Sequence, residues 1–274
     1  MRPRSQVPRA NDALPSNSKG VTLSRRTFLE RSALAAAAMA GAPAVARELF
    51  AQGAQGAQGQ AKKPVQNTAP KASEFVFARL RYDSGDWDYN PKVAANVLDA
   101  VLQYTTIPVQ QHEVVIAADS TELDSYPFLF MTGHKLVRFS ERERKGLARF
   151  VDNGGLLFSD DCNHDVNGLY ATSFEAEMRR AFPTEPLAKL SKQHGVYRSL
   201  FAFDGPPRTT HELNGWGDNI VHDYVKGIEH RGRLGVVYTN QDYGCEWDYS
   251  WRNKRFRTKD STKFAVNLVV YAMT

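Results

Sequence analysis

The stretch Gly154–Asp165, GGLLFSDDCNHD, constrains the fold of this chain more than any other. A helix-ending glycine leads into three large apolar residues, Leu156, Leu157 and Phe158. Two aspartates, a cysteine, an asparagine and a histidine follow within six residues. A short apolar run bounded by turn residues is a strand buried on both faces, which occurs in parallel sheets covered by helices.

The rest of residues 73–274 repeats this alternation. Phe75–Arg81 reads as a strand, followed by the polar, aromatic loop Tyr82–Tyr89. Asn90 and Pro91 are expected to cap and open a helix carrying Val93, Val97, Leu98, Val101 and Leu102. Strands are expected at 109–117 and 127–132, the second followed at once by Gly133 and His134. Ser140 and Glu143 form a capping-box pattern for a helix through Leu147, Phe150 and Val151, with Gly154 as its left-handed end. Ser173 is expected to start a helix with Phe174, Met178 and Phe182. A strand at 234–239, a loop at 240–248 and a helix capped by Ser261 complete the domain.

Strands alternating with amphipathic helices give an α/β fold with a mainly parallel sheet, helices on both faces, and ligands beyond the carboxyl ends of the strands. The unusual polar residues cluster after four strands: 83–88, His134, 160–165 and 242–248. Asp86, Trp87, His134, Asp161, Asp242 and Trp247 are therefore the candidate ligand-binding residues. Asp160, Asp161, His134 and His194 are the candidate acid–base groups. His134, Asp161, His164 and Asp242 could hold a divalent metal ion if their loops converge. Successive residues of a strand point to opposite faces, so one of Asp160 and Asp161 is expected to face the cleft and the other to cap the turn or helix that follows.

The N-terminus carries a different message. Ser24-Arg25-Arg26-Thr27-Phe28-Leu29 matches the twin-arginine export pattern at every specified position, and Ala44-Val45-Ala46 offers a cleavage site. The apolar run between them, about 15 residues, is shorter than the roughly 20 that cross a bilayer, so no stable membrane span is expected. Residues 1–46 are thus a signal peptide, 47–72 a Gly/Ala/Gln-rich linker and 73–274 the folded domain, exported to the periplasm or beyond by the twin-arginine translocase. That route moves folded proteins, so a cofactor can be loaded before export. An oxidising destination allows, without requiring, a disulfide between Cys162 and Cys245.

Charge follows the same division. Residues 1–46 hold seven Lys/Arg and two Asp/Glu and account for the whole net charge of +5; the other 28 basic and 28 acidic residues cancel. A basic surface for nucleic acid is not implied. The run Arg252, Lys254, Arg255, Arg257 and Lys259 reads as a solvated loop.

Gly133-His134, Gly154-Gly155, Asp160-Asp161, QHGVYRSLF around His194, DYGCEW at 242–247 and FAVNLVVYA near the end resemble the bacterial domain-of-unknown-function family 4159. The resemblance implies a class I glutamine amidotransferase-like fold, a flavodoxin-like three-layer sandwich, and no particular reaction. Those enzymes carry a nucleophilic cysteine between glycines. Here Cys162 stands among Asp160, Asp161 and Asn163, and neighbouring carboxylates raise a thiol's pKa. Glutamine hydrolysis is not expected. Three functions remain open at this stage. They are small-molecule or glycan binding at the strand ends, metal-assisted hydrolysis through His134, Asp160, Asp161 and Asp242, and a non-catalytic envelope scaffold. Trp87, Tyr89, Trp216, Trp247 and Trp251 supply aromatic faces for a sugar or for the core.

Overall fold

The computed structural model of the chain describes residues 74–209, 222–249 and 259–274. The expected export signal and linker, Trp216, Trp251 and the basic run from Arg252 to Arg257 lie outside the described residues.

Seven strands form one sheet: β1 (Ala78–Arg81), β2 (Val114–Ala117), β3 (Phe128–Gly133), β4 (Leu156–Asp161), β5 (Ala188–Lys189), β6 (Lys226–His230) and β7 (Arg233–Thr239). Their order is β2-β1-β3-β4-β7-β6-β5. β2, β1, β3, β4 and β7 run parallel, while β6 and β5 add an antiparallel edge. The five helices described are α1 (Val93–Tyr104), α2 (Glu141–Asp152), α3 (Leu169–Ala181), α4 (Tyr243–Asp248) and α5 (Lys259–Met273).

The pleat of β3 and β4 sorts their side chains into two cores. Phe128, Phe130, Leu156 and Phe158 face Val97, Val101, Trp247, Phe264 and Leu268, from α1, α4 and α5. Leu129, Met131 and Leu157 face Leu147, Phe150, Tyr170, Phe174 and Met178, from α2 and α3. Helices on both faces of a mainly parallel sheet make a three-layer α/β sandwich of the flavodoxin-like kind. β2 and β3 flank β1, so the chain reverses its direction of winding there. The crevice between the ends of β1 and β3 is the switch point at which such sheets bind ligands.

Several local expectations hold. Ser140 and Glu143 make a full capping box on α2, and Gly154 ends that turn at φ +90°, a conformation glycine adopts without a Cβ penalty. Other boundaries differ. β2 is confined to Val114–Ala117, with Val109 making only an isolated bridge to Phe75.

Asn90 does not cap α1. Its backbone is left-handed at φ +58°, Lys92 takes the cap position, and the Asn90 side chain turns elsewhere. α3 begins at Leu169. Ser173 lies inside it, where its hydroxyl donates to Leu169 O and accepts from Val137 N. Ser261 also lies within its helix, accepting from the Trp247 indole. The segment expected as a loop at 240–248 contains α4. No helix among the described residues is long and apolar enough to cross a membrane.

Candidate functional site

Asp160 and Asp161 end β4 and are wholly buried. The pleat sends them to opposite faces, and each organises a different group of neighbours.

On the α1/α4/α5 face, Asp160 accepts from the backbone amides of Tyr243 at 3.1 Å and Gly244 at 2.6 Å. These are the first amides of α4, so the carboxylate satisfies donors that a helix start leaves unpaired. The approach requires glycine. A Cβ on Gly244 would stand 2.8 Å from Asp160 Oδ2 and 2.9 Å from Asn90 Nδ2.

Beside this carboxylate lie both cysteines, neither in a disulfide. Cys162 Sγ is 3.1 Å from Thr132 Oγ1 and accepts from Asn90 Nδ2 at 3.4 Å. The Cys245 thiol donates to Oδ1 of the same asparagine at 3.5 Å, so one amide touches both sulfurs. Asp242 stands at the start of α4 with its Oδ1 accepting from Cys245 N at 3.3 Å and its Oδ2 3.0 Å from His164 Nε2. The two sulfurs and one Asp242 carboxylate oxygen all lie within 4.8 Å of one another.

The electrostatics are those of crowded, dehydrated acids. Burial, then the charge of Asp242, holds the Asp160 carboxyl well above the usual range. Burial, then Cys245 and the two aspartates, does the same to the Cys162 thiol. For Cys245 the bond with Cys162 pulls the pKa down, but burial and Asp242 outweigh it and the net shift is upward. Neither thiol is an activated nucleophile, in agreement with the direction argued from the sequence.

On the α2/α3 face, Asp161 accepts from Asn163 N at 2.9 Å and from the Tyr238 hydroxyl at 3.2 Å. Burial pushes its pKa up to about 6 against these bonds. At the switch point, Asp86 accepts from His134 N at 2.9 Å and Lys135 N at 3.2 Å, and its Oδ2 lies 3.1 Å from His134 Nδ1. Burial raises the Asp86 carboxyl, but the His134 and Lys135 bonds prevail and hold it below its ordinary value. The Tyr89 ring meets the His134 ring edge-on at 4.1 Å, and Asn163 Nδ2 donates to His134 O.

The predicted residues therefore separate into pairs. His134, Asp161, His164 and Asp242 do not meet at one point: His134 joins Asp86, and His164 joins Asp242. The set His134, Asp160, Asp161 and Asp242 is likewise divided by the sheet.

Trp247 is a core residue, 2% exposed, stacked between Phe158 and Tyr243. Trp87 packs against the edge of the α2/α3 core. His194 caps the short 3-10 turn Gly195–Tyr197 through Val196 N and pairs with Glu229. Glu229 aligns with Leu234 near the amino end of β7, so His194 belongs to the opposite end of the sheet.

Sequence reasoning missed Asn90, Thr132 and Arg79 as members of this region, and it placed Cys245 in a strand-end loop without giving it a part in the site. Arg79 on β1 is 2% exposed and donates to Tyr89 O, Asn90 O and Glu113 Oε2, which fixes the loop that carries Asn90. The available signals were an arginine inside an apolar strand and a cysteine after each of two strands, β4 and β7, that pair as neighbours.

No curated protein matches the chain. Residues 76–273 match the family described as "Domain of unknown function (DUF4159)", a span that takes in the whole sheet, both cores and every strand-end residue above. The chain belongs to that family of uncharacterised domains.

Proposed function

We propose that this is an exported α/β domain that binds a small polar molecule, a glycan fragment by preference, over the carboxyl ends of β1, β3, β4 and β7. One observation carries the reading. Asn90, His164 and Asp242 are non-glycine residues with φ of +58°, +53° and +59°, and they follow β1, β4 and β7. Such conformations cost of order 1–3 kcal/mol each, persist where the surroundings over-determine them, and cluster at ligand and switch sites. The fourth such residue among those described, Arg231, sits in the two-residue turn with Gly232 between β6 and β7, where the turn type itself demands positive φ.

Chemistry at the rim suits a polyhydroxylated ligand. Asp86 and His134 offer a carboxylate and an imidazole at the switch point, and Tyr89, 42% exposed, presents an aromatic face beside them. Asp161 lies behind this pair and Asp242 across the sheet. Trp247, being in the core, has no part in it. The hydrolase that would use His134, Asp160, Asp161 and Asp242 together lacks the convergence it needs.

Export rests on the Ser24–Leu29 pattern, which makes the twin-arginine translocase the transient partner and the periplasm the destination. A thermal-shift screen of the full chain against sugars and cell-wall fragments tests the binding. A subset of glycans is expected to raise Tm, and His134→Ala is expected to abolish the rise. Flat responses across the panel contradict the reading.

A further inference from the structure

The described residues place two cysteines, an aspartate and a histidine in one largely buried cluster, and the ligand reading uses only part of it. We propose that Cys162, Cys245 and Asp242 form a site for a thiophilic divalent cation of the zinc class. The site shares the strand ends with the ligand surface and stands whether or not a glycan binds there.

Topology prepares the three ligands. β4 and β7 pair in parallel with Asp160 opposite Thr239, so the residues just beyond them emerge side by side. Cys162 comes from the β4 side. Asp242 and Cys245 come from the β7 side: Asp242 caps α4, and its side chain folds over the first turn to accept from Cys245 N, which brings the two side chains together. The result is an Asp-x-x-Cys arm facing a single cysteine. Its three ligand atoms lie within 4.8 Å of one another. Tetrahedral zinc with Zn–S of ~2.3 Å and Zn–O of ~2.0–2.2 Å needs ligand atoms about 3.6–3.8 Å apart, which small rotations supply.

Around Cys162 and Asp242 the neighbours match what metal-bound thiolates and carboxylates use for orientation, while Asn90 Oδ1 accepts from the Cys245 thiol, a bond that metal binding would replace. Asn90 Nδ2 and Thr132 Oγ1 approach Cys162 Sγ at 3.4 and 3.1 Å, positions from which N–H and O–H can bond a thiolate. His164 holds Asp242 by its Oδ2. Such surrounding bonds fix ligand direction and raise affinity. His164 is the more exposed partner, 18% against 3% for Asp242, so the cluster opens to solvent on that side. Three protein ligands with one position left open is the arrangement of zinc sites that bind a further molecule, whereas structural sites are closed by four. Thiolates select zinc over magnesium or calcium. Metal loaded before folded export would also shield the thiols from oxidation at the destination.

The test is metal content of the full chain, purified under reducing conditions without chelator. About one equivalent of zinc per chain is expected, or uptake of about one on addition. Cobalt in its place is expected to give the near-ultraviolet sulfur-to-metal charge-transfer band. Cys245→Ser and Asp242→Asn are each expected to reduce bound zinc at least about tenfold.

The cobalt spectrum of the unsubstituted chain decides the matter even if a variant fails to fold. A reduced chain that takes up neither metal overturns the site, as does zinc retained in full by a folded Cys245→Ser chain. Glycan-induced Tm shifts without metal uptake would sink this site and leave the ligand reading standing; metal uptake with flat glycan responses would do the reverse.

Discussion

His164 Nε2 lies 3.0 Å from Asp242 Oδ2, and both residues hold left-handed backbones at φ +53° and +59°. Two strained residues from the ends of neighbouring strands are thus joined to each other. Replacing His164 by glycine removes about 1 kcal/mol of backbone strain together with one partly exposed hydrogen bond of similar worth. Urea unfolding of His164→Gly is expected to give a stability within about 1 kcal/mol of the parent, with zinc affinity about 10- to 100-fold weaker. A large loss of stability with unchanged affinity would make His164 a structural residue only.

Gly244 gives a sign test for the packing around Asp160. In an open helix, Gly→Ala stabilises by about 1 kcal/mol. Here the added Cβ meets Asp160 Oδ2 and Asn90 Nδ2 below 3 Å. Gly244→Ala is expected to destabilise by about 1–3 kcal/mol, measured by urea denaturation. A more stable variant would mean that α4 does not approach β4 this closely.

Arg79 anchors the loop before α1 from inside the sheet. Arg79→Met keeps an unbranched side chain over Phe130 but leaves Tyr89 O, Asn90 O and Glu113 without their cation. The expected cost is about 2–4 kcal/mol, the scale for leaving two carbonyls at the loop without their donors. Glu113→Gln keeps an acceptor oxygen for Arg79 Nε and leaves its two carbonyl partners in place, and is expected to cost about 1 kcal/mol. Equal effects from the two substitutions would contradict the role given to Arg79.

His194 provides the pH dependence. Burial lowers its pKa below 6.5, against the opposing pull of Glu229. The unfolded chain therefore takes up this proton at a higher pH than the folded one. Its contribution is fully present above about pH 6.5 and is lost as pH falls through the folded pKa. His194→Asn retains a capping oxygen for Val196 N and cannot titrate in this range. Stability measured from pH 8 to pH 5 is expected to fall more steeply in the parent than in the variant. Parallel curves would show that His194 is not held neutral by its surroundings.

The sheet was legible because its central strands are apolar on both faces and its turns carry the residues turns need. Leu156–Phe158 and the Ser140/Glu143 box state their positions locally. The antiparallel edge was not legible: β6, Lys226–His230, is half polar, and β5 is two exposed residues. Asn90 was misread because Asn-Pro before an apolar helical pattern signals a cap, whereas here the Arg79 bonds to its loop and the distant thiols engage it in a left-handed conformation that asparagine tolerates. The division of Asp160 from Asp161 follows from the pleat and could be stated in advance. Which face each aspartate took, and that Cys245 would arrive beside Cys162, depend on β7 pairing with β4, a long-range event without a local sign.

The most direct measurement is X-ray absorption at the zinc edge on the zinc-loaded full chain. Two sulfur scatterers at about 2.3 Å and nitrogen or oxygen scatterers at about 2.0–2.2 Å are predicted, with one sulfur lost in Cys245→Ser. A shell of nitrogen and oxygen alone, unchanged by that substitution, would contradict the account of the Cys162–Cys245–Asp242 centre.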